Sequence, residues 1–300
     1  MRAVGLYTGW GAGVAALPAA ARRAAAGQRL LSLGPALITG ERFRRSTREA
    51  LWGLAAVHAM LEDGGAPAEA IAGDRTALLF VTAAAYGPSN RVFIDGGGAG
   101  ASGASGMHFA YTAPAVLPAE IAIELGVRGA GITLIGGAPA TLHAIWQAAN
   151  CLARGTCDRA LVVAVEVFAE CGDLYRLAGR WMDGPLVEAA ACVWLEPGEG
   201  TLRLAGGRRA GAAHGRSPLS AAARRRAGEL AACEPLAALA LWRAAGGAEP
   251  LRLTGAWNGE VASLEWESAP DEDGRHTHMT GSAKATESAG GASALPAAAR

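Results

Sequence analysis

The chain has 300 residues with 27 basic and 27 acidic side chains, and 51% of it is hydrophobic. That length is enough for one large domain or two fused halves around a substantial core. Zero formal net charge removes the electrostatic case for nucleic acid as a partner and leaves little self-repulsion to oppose association.

Arg2 is followed by an uncharged stretch ending in LPAAARR, which superficially resembles a signal peptide. Trp10 and the glycines at 9, 11 and 13 interrupt any apolar helix there, so Ala3–Thr8 reads as a buried strand followed by a turn. Ser46–Asp63 is predicted as an amphipathic helix starting at Ser46, and Arg75–Ala84 as a strongly apolar strand. The stretch DGGGAGASGASG, 95–106, is expected to be a loop because it is too glycine-rich to pack. In YTAPAVLPAEIAIELGV (111–127) a turn with two prolines opens a helix, with Pro118 in its first turn, where a missing N–H costs nothing.

Gly131–Phe168 predicts a strand, a tight turn at Gly136-Gly137-Ala138-Pro139, a long helix, a short loop and a second strand. Val187–Leu195 is a further strand, and 202–216 a strand leading into a loop. Pro218–Ala245 is read as helical, broken near Cys233-Glu234-Pro235. Leu251–Thr254 is a short strand followed by a turn and a helix in GAWNGEVASLEWE. This alternation indicates an α/β fold with partly parallel sheets.

The five cysteines, Cys151, Cys157, Cys171, Cys192 and Cys233, are scattered and form no CxxC pair, which argues against a zinc site or a disulfide framework and for a reducing cytoplasm. No apolar run is long enough to be a convincing membrane span. His276 and His278 lack a third ligand at useful spacing, so no metal is expected. The glycines at 96–98 lack the Lys-Ser/Thr of a phosphate loop, and no cofactor is expected either.

The most informative segment is the turn at 136–139. A strand running abruptly into a helix N-terminus is where enzymes mount nucleophiles, because the free N–H groups there stabilise negative charge. Here the turn presents Ala138, whose methyl group can do no chemistry. Ser89 and Thr141 are candidate substitute nucleophiles without an identifiable base. His143 is expected to pack as a core or interface residue, and Glu188 to cap or brace the core. His108 is read as a loop residue able to approach a partner's cleft. The arginines in 222–226 read as a solvated helix face or, in a second reading, as a docking patch for an acidic carrier protein.

Leu142-His143-Ala144-Ile145, Gly155-Thr156-Cys157-Asp158 and Ala164-Val165-Glu166 follow that turn in order. The Pro-containing segment 111–129 precedes it, and Asp183-Gly184-Pro185-Leu186-Val187-Glu188-Ala189-Ala190 comes after. Over most of its length the chain thereby resembles the β-ketoacyl synthases of the thiolase-like fold. The resemblance implies two related α/β halves in α-β-α-β-α layers: an N-terminal half at 1–200 and a shortened C-terminal half at 201–300. It also places the family's nucleophilic cysteine at Ala138, whereas decarboxylative condensation needs a thiolate to carry the acyl chain. The family's first catalytic histidine would fall near Leu253-Thr254-Gly255-Ala256, where there is none. For the second, two registers stay open. One lays His278 on the old catalytic position; the other makes TGSAKATESAGG a strand and turn without a histidine.

The expected function is therefore a catalytically deficient homologue similar to a chain-length factor. It would not be an enzyme on its own and would pair with an active β-ketoacyl synthase subunit, or with itself, in a fatty acid- or polyketide-type pathway. Acyl carrier protein is a further expected partner. Pro114, Leu117, Pro118 and Glu120, together with His108, Pro139 and Thr141, are the candidate substrate or interface residues. The alternatives are a divergent acyltransferase or hydrolase using a non-cysteine residue of the same cleft, and a homodimeric acyl- or carrier-binding module.

Overall fold

In the computed structural model, residues 1–44, 46–98, 109–168, 171–173, 184–198, 200–208, 215–247, 250–267 and 284–287 are described. In chain order they form β1 (Ala3–Thr8), β2 (Gly11–Ala12), α1 (Ala21–Ala24), β3 (Leu30–Leu31), α2 (Arg48–Asp63), β4 (Thr76–Thr82), α3 (Gly87–Gly98) and α4 (Val116–Leu125). Next come β5 (Gly131–Ile135), α5 (Ala138–Ala153), β6 (Arg159–Glu166), β7 (Leu186–Val187), β8 (Ala189–Leu195) and β9 (Thr201–Arg208). The last are α6 (Pro218–Ala227), α7 (Glu234–Ala244), β10 (Leu251–Trp257), β11 (Glu260–Glu267) and β12 (Lys284–Glu287).

The first sheet runs β2-β1-β8-β6-β4-β5. β4 is parallel to both β5 and β6, while β8 is antiparallel to β6 and to β1. All residues of β4 and β8 are buried, which explains why they read as continuous apolar runs: both faces of the sheet are covered. Their side chains still alternate. Ala77, Leu79 and Val81, with Ala160, Val162 and Ala164, join the core on one face. Leu78 and Phe80, with Leu161, Val163 and Val165, join the other. α2 and α4 cover that second face through Trp52, Leu54, Met60, Leu117 and Ile121.

The second sheet runs β10-β11-β9-β12. Between the two sheets lies α5, whose alanines at 144, 148 and 149 are buried and let backbone approach it from both sides; Leu142 and Ile145 fill the remaining space. Each such aliphatic side chain contributes roughly 1.5–3 kcal/mol on burial. Together with α7 this helix forms the middle layer of an α-β-α-β stack. A two-stranded parallel ribbon, β3 with β7, lies apart.

Several expectations need correction. α2 is capped by Thr47, whose hydroxyl accepts from the Ala50 N–H, rather than starting at Ser46. Residues 95–98 of the expected loop continue α3, and 99–106 lie outside the described residues. The break after α6 falls at 228–230, and the chain resumes in a 3₁₀ turn at Ala231–Cys233 that feeds α7.

The helix expected after β10 is a strand. Asn258 and Gly259 both have positive φ, 47° and 81°, and Trp257 pairs with Glu260, which defines a two-residue hairpin. Ala262, Leu264 and Trp266 then point inward at period two.

Nor do the arginines of α6 form a solvated face. Arg226 donates to the carbonyls of Val14, Leu17 and Pro18 at 3.1, 2.9 and 3.3 Å. Arg224 pairs with Glu234 at 2.8 Å and with Glu229. Only Arg225 of the three is exposed. No helix among the described residues is long and apolar enough to cross a membrane.

Candidate functional site: the turn at the start of α5

β5 ends at Ile135, the Gly136 N–H donates to the Thr82 carbonyl at 2.9 Å, and α5 begins at Ala138. Pro139 occupies the second helical position, and Gly137 caps the helix without a side chain. The predicted strand–turn–helix is thus formed, yet Ala138 is only 3% exposed because β10 closes over it. A Cβ at Gly255 would stand 2.8 Å from the Ala138 Cβ, and one at Gly137 would stand 2.4 Å from the Trp257 ring. Both approaches exist only because those two residues are glycine.

One turn into α5, the buried Thr141 hydroxyl donates to the Ala232 carbonyl at 2.6 Å, which ties the helix to that turn. The Ala232 N–H in turn donates to Glu166 at 3.2 Å. Glu166, at the carboxyl end of β6 and fully buried, also accepts from the N–H groups of Ala83 and Ala84 at 2.6 and 3.1 Å, and from the Thr82 hydroxyl at 3.4 Å. One carboxylate therefore ties together the ends of β4 and β6 and the turn that leads into α7. Ala231 within that turn has a φ of 47°, a left-handed conformation that non-glycine residues hold only when their surroundings dictate it.

Burial pushes the Glu166 carboxyl up to about 8, against the opposing pull of the Ala83, Ala232 and Ala84 N–H groups and the Thr82 hydroxyl. Because the folded value lies above the unfolded one, the folded state binds the extra proton. The stabilisation is full below the unfolded value of 4.5 and is lost as pH rises toward 8. Denaturant midpoints are expected to fall across this window, and Glu166→Gln should flatten the slope. The glutamine is also expected to lower stability by about 1–3 kcal/mol, since it leaves a buried N–H poorly paired.

Glu188 separates β7 from β8 and is also fully buried. It accepts from the N–H groups of Leu33 at 2.8 Å and Phe168 at 2.6 Å, and from the Arg48 guanidinium at 2.7 Å. This is the bracing role expected of it.

The remaining candidates do not gather around Ala138. Leu117 and Pro118 are buried in α4, and α4 packs on the opposite face of the first sheet from α5. Pro114 is half-buried, and Glu120 accepts from the Tyr111 hydroxyl. His143 faces solvent, which corrects the core half of its expected role. Ser89 is buried in the first turn of α3. His108, His276 and His278 lie outside the described residues. β12 pairs in parallel with β9; the rest of TGSAKATESAGG lies outside the described residues.

The sequence signal for Trp257 is Trp-Asn-Gly after an apolar strand, which marks a hairpin. Glu166 was legible only as the end of a strand, since burial and convergent N–H donors are properties of the assembled fold.

Residues 37–180 match the family model described as "Beta-ketoacyl synthase, N-terminal domain", a span that includes the Ala138 turn. Among solved structures, a beta-ketoacyl synthase from Burkholderia phymatum STM815 superposes with a TM-score of 0.63 at 12% identity, covering 90% of this chain and 98% of that one. The type II PKS assembly AntDE:AntF, an acyl-carrier protein in complex with its ketosynthase, gives 0.67 at 12% identity over 89% and 98%. The ishigamide ketosynthase/chain length factor gives 0.63 at 14% identity over 89% and 98%. No curated protein matches the chain by sequence. The fold is the thiolase-like fold of the ketosynthases. Within that fold, residues 37–180 are similar to the N-terminal domain of the beta-ketoacyl synthases.

Proposed function

We propose that this chain is a non-catalytic β-ketoacyl synthase homologue that pairs with an active ketosynthase, in the manner of a chain-length factor, in the cytoplasm as part of a fatty acid- or polyketide-type pathway. The observation that carries this reading is the preserved strand–turn–helix with a buried alanine where the resemblance expects a thiol. A condensing enzyme must hold its acyl chain as a thioester on that residue, and a methyl group packed on Gly255 cannot.

The pairing surface is the β5 edge of the first sheet, free among the described residues. β5 is its last strand and carries no charge. Ile135 is 50% exposed, and Phe109 and Ile123 expose 61% and 82% nearby in sequence. An uncharged apolar edge of this kind is a template for a partner strand. In the proposed heterodimer, the segment from Ala113 to Glu120 lines the partner's acyl tunnel. With Leu117 and Pro118 buried, the half-buried Pro114 and Glu120 and the exposed Ala113, Ala115 and Ala119 are available to do so.

Incubation of the purified protein with acyl and malonyl thioesters should yield no acylated peptide by mass spectrometry and no condensation product. Co-expression with a ketosynthase encoded beside it should yield a stable heterodimer. An acylated serine, threonine or histidine from the protein alone would overturn the proposal in favour of a divergent acyltransferase, and a lasting homodimer would favour a binding module.

A further inference from the structure

The loss of the thiol explains why residue 138 cannot react; it does not explain why the space in front of it is filled. That filling comes from β10, and each part of it is specific. Trp257 is the last residue of the strand, and its ring lies flat enough on Gly137 that a Cβ there would meet ring carbons at 2.4, 2.6 and 2.6 Å. Two residues earlier, Gly255 brings main chain so close that its own Cβ would stand 2.8 Å from the Ala138 Cβ and 3.0 Å from the Pro139 nitrogen. A glycine beneath the ring and a glycine beside the methyl group interlock the strand with the turn.

The strand is not free to swing away. On one side it pairs with β11 along its whole length. Beyond Trp257, the Asn258-Gly259 turn returns the chain immediately into β11. On the other side, the start of α6 holds it: the Ser217 N–H donates to the Thr254 hydroxyl at 2.8 Å, and the Thr254 N–H donates to the Ser220 hydroxyl at 2.9 Å. Trp257 itself remains half-buried, unlike the fully enclosed Trp194. One part of its side chain closes the turn while another faces outward, as a stopper does and a core residue does not.

We propose that the Trp257 indole is a fixed plug over the N-terminus of α5, so that the site is closed to acyl thioesters as well as stripped of its nucleophile. Restoring a thiol is then insufficient, because the plug must also be withdrawn. This inference is independent of the partner-subunit reading and would stand even if the protein were found to work alone.

Accessibility of a thiol placed at 138 is the direct test, read as the iodoacetamide alkylation rate of the peptide containing residue 138. In folded Ala138→Cys the rate is expected to be at least about tenfold below that of the same protein in denaturant, because a buried thiol reacts only through local opening. Adding Trp257→Ala, or the milder Trp257→Leu, should raise it at least about tenfold while the melting transition is retained.

Alkylation of folded Ala138→Cys as fast as in denaturant would overturn the plug. So would an unchanged rate in folded double variants. Loss of the fold in both double variants would also count against it, since removing a plug leaves the two cores standing and that result would mark Trp257 as core.

Discussion

Glu188→Ala is expected to destabilise the protein by about 3–5 kcal/mol, the range for removing one partner of a buried ion pair. The carboxylate is fully buried and holds the Arg48 guanidinium while accepting from the N–H groups of Leu33 and Phe168. Arg48 is itself only 22% exposed on its side chain, so solvent cannot fully replace the lost partner. Alanine leaves one cation and two backbone donors without their acceptor in a space that water enters poorly. Glu188→Gln keeps the volume and one acceptor and should cost clearly less. Urea midpoints of the three proteins at one pH decide the matter, and an alanine variant within about 1 kcal/mol of the parent would show that Glu188 is dispensable.

Thr133→Pro should weaken partner binding at least about 100-fold while sparing the monomer, because main-chain bonds at a desolvated interface contribute about 1 kcal/mol or more each. The choice of residue follows from the ladder. The Leu78 N–H donates to the Ala130 carbonyl, and the Gly136 N–H donates to the Thr82 carbonyl. In a parallel pair alternate residues bond to the neighbouring strand. The even-numbered residues of β5 therefore face β4, and Gly131, Thr133 and Ile135 turn their polar groups outward. Proline at 133 deletes an outward donor and adds a ring on the approach path, a position at which edge strands tolerate it. Titration calorimetry or analytical ultracentrifugation with the co-expressed partner gives the affinity. Unchanged binding by a folded Thr133→Pro variant would move the interface away from β5.

The first half of the chain was far more legible than the second, and the reason is physical. β4, β6 and β8 are enclosed on both faces, and a strand in that setting must be apolar throughout, so composition alone marks it. The strand–turn–helix at 131–153 announces itself through paired glycines and a proline. Past residue 200 the sheet has one buried face only among the described residues, so its strands carry arginine, glutamate and serine on alternate positions and look like loop or helix. β11 reads as a helix for this reason: Val261, Ser263 and Glu265 disguise the inward row Ala262, Leu264 and Trp266.

The site was half legible. Ala138 marked its chemistry as absent, since a missing thiol is visible in one letter. Trp257 and Gly255 lie more than a hundred residues away from it in sequence, and their closing of the turn exists only once two sheets share a helix.

That shared helix also sets the order in which the protein can be made. α5 belongs to the first half of the chain, yet it supplies the apolar floor on which β9, β10 and β11 rest. A ribosome releasing the last hundred residues delivers strands whose inner face is covered in part by α6 and α7, which reach β10, and for the rest by α5, so that face is completed only on a helix already in place. The link between β8 and β9 passes from the first sheet to the second, and strands of both rest on α5. Expressed alone, the C-terminal segment should behave as an unfolded chain, and added in trans to the first half it should acquire structure only by docking on α5.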